Sequence, residues 1–168
     1  GINNKQKLTN IFKDYIDFQK ASSILISSIN NNENICILGD YDVDGACATS
    51  LLVRYFTHIN QKHFFYIPDR TEDGYGASKK LFQKLILKKP KLVIMVDCGS
   101  TSNEAIEYLN KHNIKSIIID HHEINKPYPK SNVIINPKIE SNKKESSLLC
   151  ATALTYFFIE IMIQKTKS

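Results

Sequence analysis

The sequence predicts an α/β domain built on a mostly parallel, five-stranded sheet flanked by helices. Three observations predict it. Short β-branched apolar runs, Ile35-Cys36-Ile37-Leu38, Leu92-Val93-Ile94-Met95-Val96 and Ser116-Ile117-Ile118-Ile119, have the length and composition of strands buried on both faces. Stretches of helical spacing separate them, and regular strand–helix alternation implies crossover connections between parallel neighbours. Each of the three runs also leads into acid, the first past Gly39 and the others directly, at Asp40-Tyr41-Asp42-Val43-Asp44-Gly45, Asp97-Cys98-Gly99 and Asp120-His121-His122. A parallel sheet gathers the carboxyl ends of its strands along one rim, so these distant residues are expected to converge there.

In chain order, Asp17 to Ser28 carries apolar residues at helical spacing (Phe18, Ala21, Ile24, Leu25) and is ended by Asn30-Asn31-Asn32. A strand follows from Asn34. Asp44-Gly45 opens a helix from Ala46 to Thr57, whose small residues Ala46, Ala48 and Thr49 suit close packing on the sheet. His63 to Ile67 reads as a strand, Ser78 to Leu87 as a helix and Leu92 to Val96 as the third strand. Ser102, with Glu104 behind it, is the expected cap of a helix ending near Asn113. Ser116 to Ile119 is the fourth strand, and Val133-Ile134-Ile135, closed by Asn136-Pro137 beyond the Pro127 and Pro129 loop, is the fifth. A polar segment, Lys138 to Ser147, precedes an almost wholly apolar and mostly buried helix from Leu148 to about Ile163. Such a helix expects more protein to cover it, so the chain reads as a truncation or an excerpt.

With 168 residues and 42% hydrophobic composition, one core can be buried, so a single domain or one lobe is expected. No apolar run reaches the length of a membrane span and the first residues show no basic segment followed by a hydrophobic core, so neither membrane insertion nor secretion is expected and a cytoplasmic protein acting away from membranes is. Cys36, Cys47, Cys98 and Cys150 lack any paired spacing and read as reduced, mostly buried thiols. The formal charge of +5 comes almost wholly from lysines in a chain also crowded with Asn and Ile, so it points only weakly to nucleic acid. Arg54 and Arg70 are the two arginines. Arg70 lies in the polar loop Pro68 to Gly76, where its planar fork can grip a phosphate or pair with Asp69, Glu72 or Asp73.

Asp42 and Asp44 sit two apart at a strand-to-helix corner, and both can face the rim, with Gly45 leaving the turn open. Either can instead cap the helix. Asp97 can cap too, but three such acidic corners on one rim repel one another, and a divalent cation is the commonest reason to assemble them. His121 and His122 add nitrogen ligands, or one is buried and the other exposed. A mixed oxygen and nitrogen set suits Mn²⁺, Fe²⁺, Co²⁺ or Zn²⁺ better than Ca²⁺, with Mn²⁺ or Mg²⁺ usual for phosphate chemistry. Asp97 is placed to bridge two ions, and Asp120 to orient a ligand histidine through its ring N–H.

These motifs resemble those of the DHH phosphoesterase superfamily, a Rossmann-like fold. Tyr41 inside the first motif, the loop from Pro68 to Gly76, Asn136-Pro137 and Leu149-Cys150-Ala151 are similar to the RecJ-like branch, single-strand-specific 5′-to-3′ DNA exonucleases of repair and recombination. The similarity runs from about Phe12 to Phe158. It implies metal ligation by Asp42, Asp44, Asp97 and His121, with His122 beside the metals or the scissile phosphate and Asp40 in support. It implies Mn²⁺, or else Mg²⁺, as cofactor, single-stranded DNA as partner and a monomeric enzyme. RecJ-like proteins continue into one more aspartate ligand and a second, substrate-binding domain, neither of which is found here, so the chain alone is expected to be weak or inactive. Their glycine after Leu-Cys-Ala is replaced in the run Thr152-Ala153-Leu154, a change expected to touch helix packing and not the metal site. Relatives acting on short oligonucleotides or small nucleotides carry a histidine where this chain has Leu38. A non-catalytic binding module would have little reason to keep so much repelling charge.

Overall fold

Five strands and five helices, alternating up to β4 and followed by a fifth strand and a last helix, make up the computed structural model, which describes residues 12, 14–69, 71–73, 76–139 and 149–167. They are α1 (Ile16–Asn30), β1 (Ile35–Leu38), α2 (Val43–His58), β2 (His63–Tyr66), α3 (Lys79–Leu85), β3 (Leu92–Val96), α4 (Asn103–Lys111), β4 (Lys115–Ile119), β5 (Val133–Ile135) and α5 (Ala151–Thr166). The strands order as β2-β1-β3-β4-β5, and all four pairings are parallel.

Strand periodicity divides the core in two. Side chains alternate between the faces of a sheet, so Ile35, Ile37, Ile94, Ile117 and Ile119 pack on one side with α1, α2 and α5, including Leu25, Phe56 and Phe158. Cys36, Leu38, Val93, Met95 and Ile118 pack on the other with α3 and α4, including Phe82 and Ile106. β1, β3 and most of β4 are therefore buried on both faces, which is why they read as unbroken apolar runs. Connections to one side of β1 run over one face and those to the other side over the opposite face. The strand order thus reverses between β1 and β3, and the crevice beyond their carboxyl ends is where such sheets bind ligands.

With six glycines in the chain, asparagine takes over the work of stopping helices. Asn32, Asn60 and Asn113 adopt left-handed conformations (φ 52°, 57° and 57°) just past α1, α2 and α4. The next N–H in each case reaches back to the final helical turn: Glu33 to Ser28 O at 3.0 Å, Gln61 to Phe56 O at 2.8 Å and Ile114 to Leu109 O at 3.0 Å. These bonds satisfy carbonyls the helix would leave unpaired.

Four details differ from the sequence reading. α2 starts at Val43 rather than Ala46, because the Asp42 carboxylate accepts from Gly45 N at 2.7 Å and caps it. Ser102 occupies the cap position of α4 but makes no side-chain cap bond, whereas Ser78 caps α3 by accepting from Leu81 N at 3.1 Å. α5 buries one face, through Ala151, Leu154, Thr155, Phe158, Ile161 and Met162, while Ile163 is exposed; Leu148 lies outside the described residues. Of the four free cysteines only Cys36 and Cys98 are buried, because Cys47 falls off the inward stripe of α2 and Cys150 precedes the first turn of α5.

Candidate metal centre

The loop after β1 is pressed onto the first turn of α2. A Cβ on Gly45 would lie 2.4 Å from Asp40 O and 2.7 Å from Asp40 N, and one on Gly39 would lie 2.0 Å from Thr49 Oγ1. Only glycine permits this approach, and it carries Asp40, Asp42 and Asp44 to the rim together. Gly45→Ala must displace backbone, so we expect a loss of about 1–3 kcal/mol. Thermal melts should show a midpoint lower by several degrees and a weaker response to Mn²⁺; an unchanged melt would mean the loop is looser than this geometry.

Asp97 follows β3 in a left-handed conformation (φ 61°) that aspartate tolerates better than most residues. Its N–H donates to Ile119 O at 2.9 Å, continuing the ladder for one more residue, and the carboxylate is fully buried. Asp120 repeats the arrangement after β4, its N–H donating to Ile135 O at 2.9 Å. One carboxylate oxygen of Asp120 accepts from His121 N at 2.8 Å and lies 2.6 Å from His122 Nδ1. A carboxylate only accepts, so Nδ1 of His122 is the donor in this contact.

His121 turns the other way. Its Nε2 lies 2.9 Å from Asp97 Oδ1 and 3.2 Å from Asp44 Oδ2, which draws the ends of β1, β3 and β4 to one point. The two imidazoles stand side by side with ring centroids 4.7 Å apart. Two sets of candidate ligand atoms result, each within 4.8 Å of one another: Asp97, Asp120, His121 and His122, and Asp40, Asp42 and Asp97. Asp97 belongs to both. Asp44 belongs to neither set and reaches the cluster through His121.

Electrostatics sharpen the role of Asp97. Burial, then the facing Asp42 carboxyl and the charges of Asp44, Asp42 and Asp120, push its pKa up to about 9. Its Oδ2 is buried with no hydrogen-bond partner. An orphaned carboxylate oxygen amid other carboxylates is what a hard divalent cation satisfies, and the mixed carboxylate and imidazole donors fit one. Asp44 behaves oppositely. Partial burial raises its pKa, but donation from the Thr152 hydroxyl and N–H and the Ala151 N–H, with a lesser pull from the Cys150 thiol, outweighs burial and holds it below the usual carboxylate value.

Beside this cluster lies a cleft of about 460 Å³, lined by Asp40, Ala77, Asp97, Ser100, Asp120 and His122 among others. Arg70 lies outside the described residues. Two of the carboxylates considered as its partners have other bonds: Asp69 Oδ1 accepts from Thr71 N at 2.9 Å, and Asp73 accepts from Tyr66 Oη at 2.5 Å and pairs with Lys84 at 3.2 Å.

Two contributors escaped the sequence reading of the site. Asn136, fully buried at the end of β5, donates to Ser100 Oγ and to His122 O, both at 2.9 Å, and so pins the histidine loop. Its signal was visible: a polar residue directly after an apolar run, on the rim shared by the other acids. Thr152 corrects the expectation that the replaced glycine run leaves the site alone. Its hydroxyl lies 2.6 Å from Asp44 Oδ1.

A family model described as the DHH family, N-terminal domain, matches residues 34–168. The chain belongs to the DHH family. Among curated proteins, this DHH domain is 26% identical to the single-stranded-DNA-specific exonuclease RecJ of Dickeya dadantii, over 95% of its own length and 29% of that protein. It is 28% identical to RecJ of Escherichia coli over the same shares. The chain thus spans less than a third of these relatives. A crystal structure of exonuclease RecJ bound to manganese superposes with a TM-score of 0.81 at 25% identity, covering 89% of this chain and 38% of that one. RecJ of Thermus thermophilus in complex with Mn²⁺ gives a TM-score of 0.74 at 20% identity, over 89% of this chain and 21% of that one, a likeness of fold. No helix among the described residues is long and apolar enough to cross a membrane.

Proposed function

We propose that this DHH domain is the metal-binding lobe of a RecJ-type enzyme that hydrolyses single-stranded DNA from its 5′ end, in the cytoplasm, in repair and recombination. The observation that carries the proposal is the buried Asp97 carboxylate, orphaned at Oδ2 and set between Asp42 and His121 at the strand-order reversal. The similarity to RecJ exonucleases over nearly the whole chain supports the choice of substrate.

In this reading Asp42, Asp44, Asp97 and His121 hold Mn²⁺, or Mg²⁺ in its place. When bound, such ions supply Lewis acidity and a water activated for attack on a phosphodiester. The protein's own part is positional. Asp42 keeps one oxygen on the α2 cap, which fixes its carboxylate against Asp97. Asp120 holds the His122 ring through Nδ1, which leaves Nε2 as the ring atom to accept a hydrogen bond or take up a proton beside the phosphate. Asp40 accepts from Tyr41 N at 2.8 Å, which steadies the loop that carries Asp42. Arg70 is assigned to a substrate phosphate, where its two-pronged geometry outdoes lysine.

The relatives are more than three times as long, so the strand-threading surface is assigned to segments beyond these 168 residues. The test compares the chain alone with the protein extended through those segments, using single strands labelled at either end. We expect little processive hydrolysis by the chain and Mn²⁺-dependent nucleotide release from 5′ ends by the extended protein. Asp44→Ala or His121→Ala should abolish it. Release from 3′ ends would overturn the RecJ assignment, and robust degradation by the chain alone would overturn the division of labour.

A further inference from the structure

We propose that Thr152, in the first turn of α5, is a positioning residue for the metal centre: its hydroxyl fixes which Asp44 oxygen is presented to a divalent cation. The inference rests on the metal-site reading of the cluster and concerns a residue that reading does not use.

An ionised carboxylate has about four lone-pair sites. Three on Asp44 are taken by N–H and O–H donors at the start of α5, and the Cys150 thiol adds a weaker contact. Thr152 N donates to Oδ1 at 2.8 Å, Thr152 Oγ1 to the same oxygen at 2.6 Å, and Ala151 N to Oδ2 at 2.9 Å. Oδ2 also faces His121 Nε2 at 3.2 Å, and that nitrogen lies 2.9 Å from Asp97 Oδ1. A helix distant in sequence thus engages Oδ1 twice and turns Oδ2 toward the point where β1, β3 and β4 converge. Asp44 becomes a one-oxygen ligand aimed before any ion arrives.

The hydroxyl's share can be separated from the backbone's. Thr152 Oγ1 has one proton and two acceptors in reach, Asp44 Oδ1 at 2.6 Å and Asp44 O at 3.1 Å. The charged acceptor is closer and forms the stronger bond. Both N–H donors survive a substitution that leaves α5 in place, so altering the side chain removes the hydroxyl anchor alone.

Two effects then oppose each other. The hydroxyl draws electron density from the carboxylate, which weakens it as a ligand, but it acts on Oδ1 and not on the oxygen facing the cluster. It also stops the carboxylate turning about a torsion whose energy well is otherwise broad. Partners that orient metal ligands in this way are worth roughly ten- to a hundred-fold in affinity, so orientation should win.

The test is Mn²⁺ titration of the 168-residue chain, followed by the electron paramagnetic resonance signal of the free ion, well below each variant's melting midpoint. We expect Thr152→Val and Thr152→Ala to raise the dissociation constant roughly tenfold at unchanged stoichiometry, and Thr152→Ser to restore it. Circular dichroism confirms folding of each, and alanine keeps the test alive if the β-branched valine disturbs the helix start. Wild-type affinity in a folded Thr152→Ala overturns this inference while the metal reading stands. Failure of Thr152→Ser to rescue would assign the loss to packing and overturn it also. Absence of Mn²⁺ binding by the wild-type chain would overturn the metal reading and this inference with it.

Discussion

Replacing Asp97 with Asn is expected to make the metal-free protein more stable and, in the same step, indifferent to Mn²⁺. The Asp97 carboxyl titrates near its ordinary value of 3.8 in the unfolded chain and at about 9 in the folded one. Below pH 4 both states hold the proton and the group costs nothing. Between those limits the folded state must keep a proton that the unfolded chain has released, so stability falls as pH rises through the window and the loss is complete above about pH 9. At pH 7 the penalty is on the order of 2–4 kcal/mol. Asparagine is isosteric and neutral at every pH, and its amide can donate to the carboxylates around it. It also accepts the left-handed backbone at this position (φ 61°) as readily as aspartate. We therefore expect the metal-free Asp97→Asn midpoint to rise by roughly 5 °C or more at pH 7, with the gap closing as pH is lowered toward 4. Addition of Mn²⁺ should raise the wild-type midpoint and leave the variant where it is. A variant that melts lower than wild type, or that keeps the metal response, would show that Asp97 is not the strained centre of the cluster.

That trade locates the conflict between fold and function. Asp97 sits at the end of a strand buried on both faces, where an apolar or amide side chain would serve stability better. The sequence shows the conflict in outline, since acid ends three runs that are otherwise β-branched and apolar. Those runs were legible because doubly buried strands carry no polar face to blur the pattern, and parallel topology forces their ends together. Asp42 shows how two readings weighed as rivals are compatible: capping α2 uses one carboxylate oxygen and leaves ligation open to the other. The reading of the cysteines as mostly buried fails at Cys47, which the stripe Ala48, Leu52, Tyr55 and Phe56 already places outside. The Thr152 contact to Asp44 was not legible at all, because it joins elements 108 positions apart and depends on how α5 meets α2. Local spacing carries no information about such a meeting.

Mn²⁺ affinity should climb about tenfold per pH unit from pH 7 to 8.5, roughly thirty-fold in all, because the ion must displace a proton to reach Asp97. With a folded-state pKa of about 9, Asp97 is protonated in the metal-free protein across that range, and a carboxyl oxygen that carries a proton cannot ligate. Asp44 adds no proton of its own, since donation by Thr152 and Ala151 already holds it ionised. The first ion should therefore release close to one proton. Calorimetric titrations in buffers of different ionisation enthalpy measure that number directly, and the same experiments give the affinity at each pH. Asp97→Asn removes both the proton and the ligand, so it should show neither the wild-type affinity nor its pH slope. Flat affinity in the wild-type protein, with no proton released, would mean that Asp97 is already ionised without metal, and that neighbouring groups rather than a proton relieve the crowding of Asp42, Asp44 and Asp97.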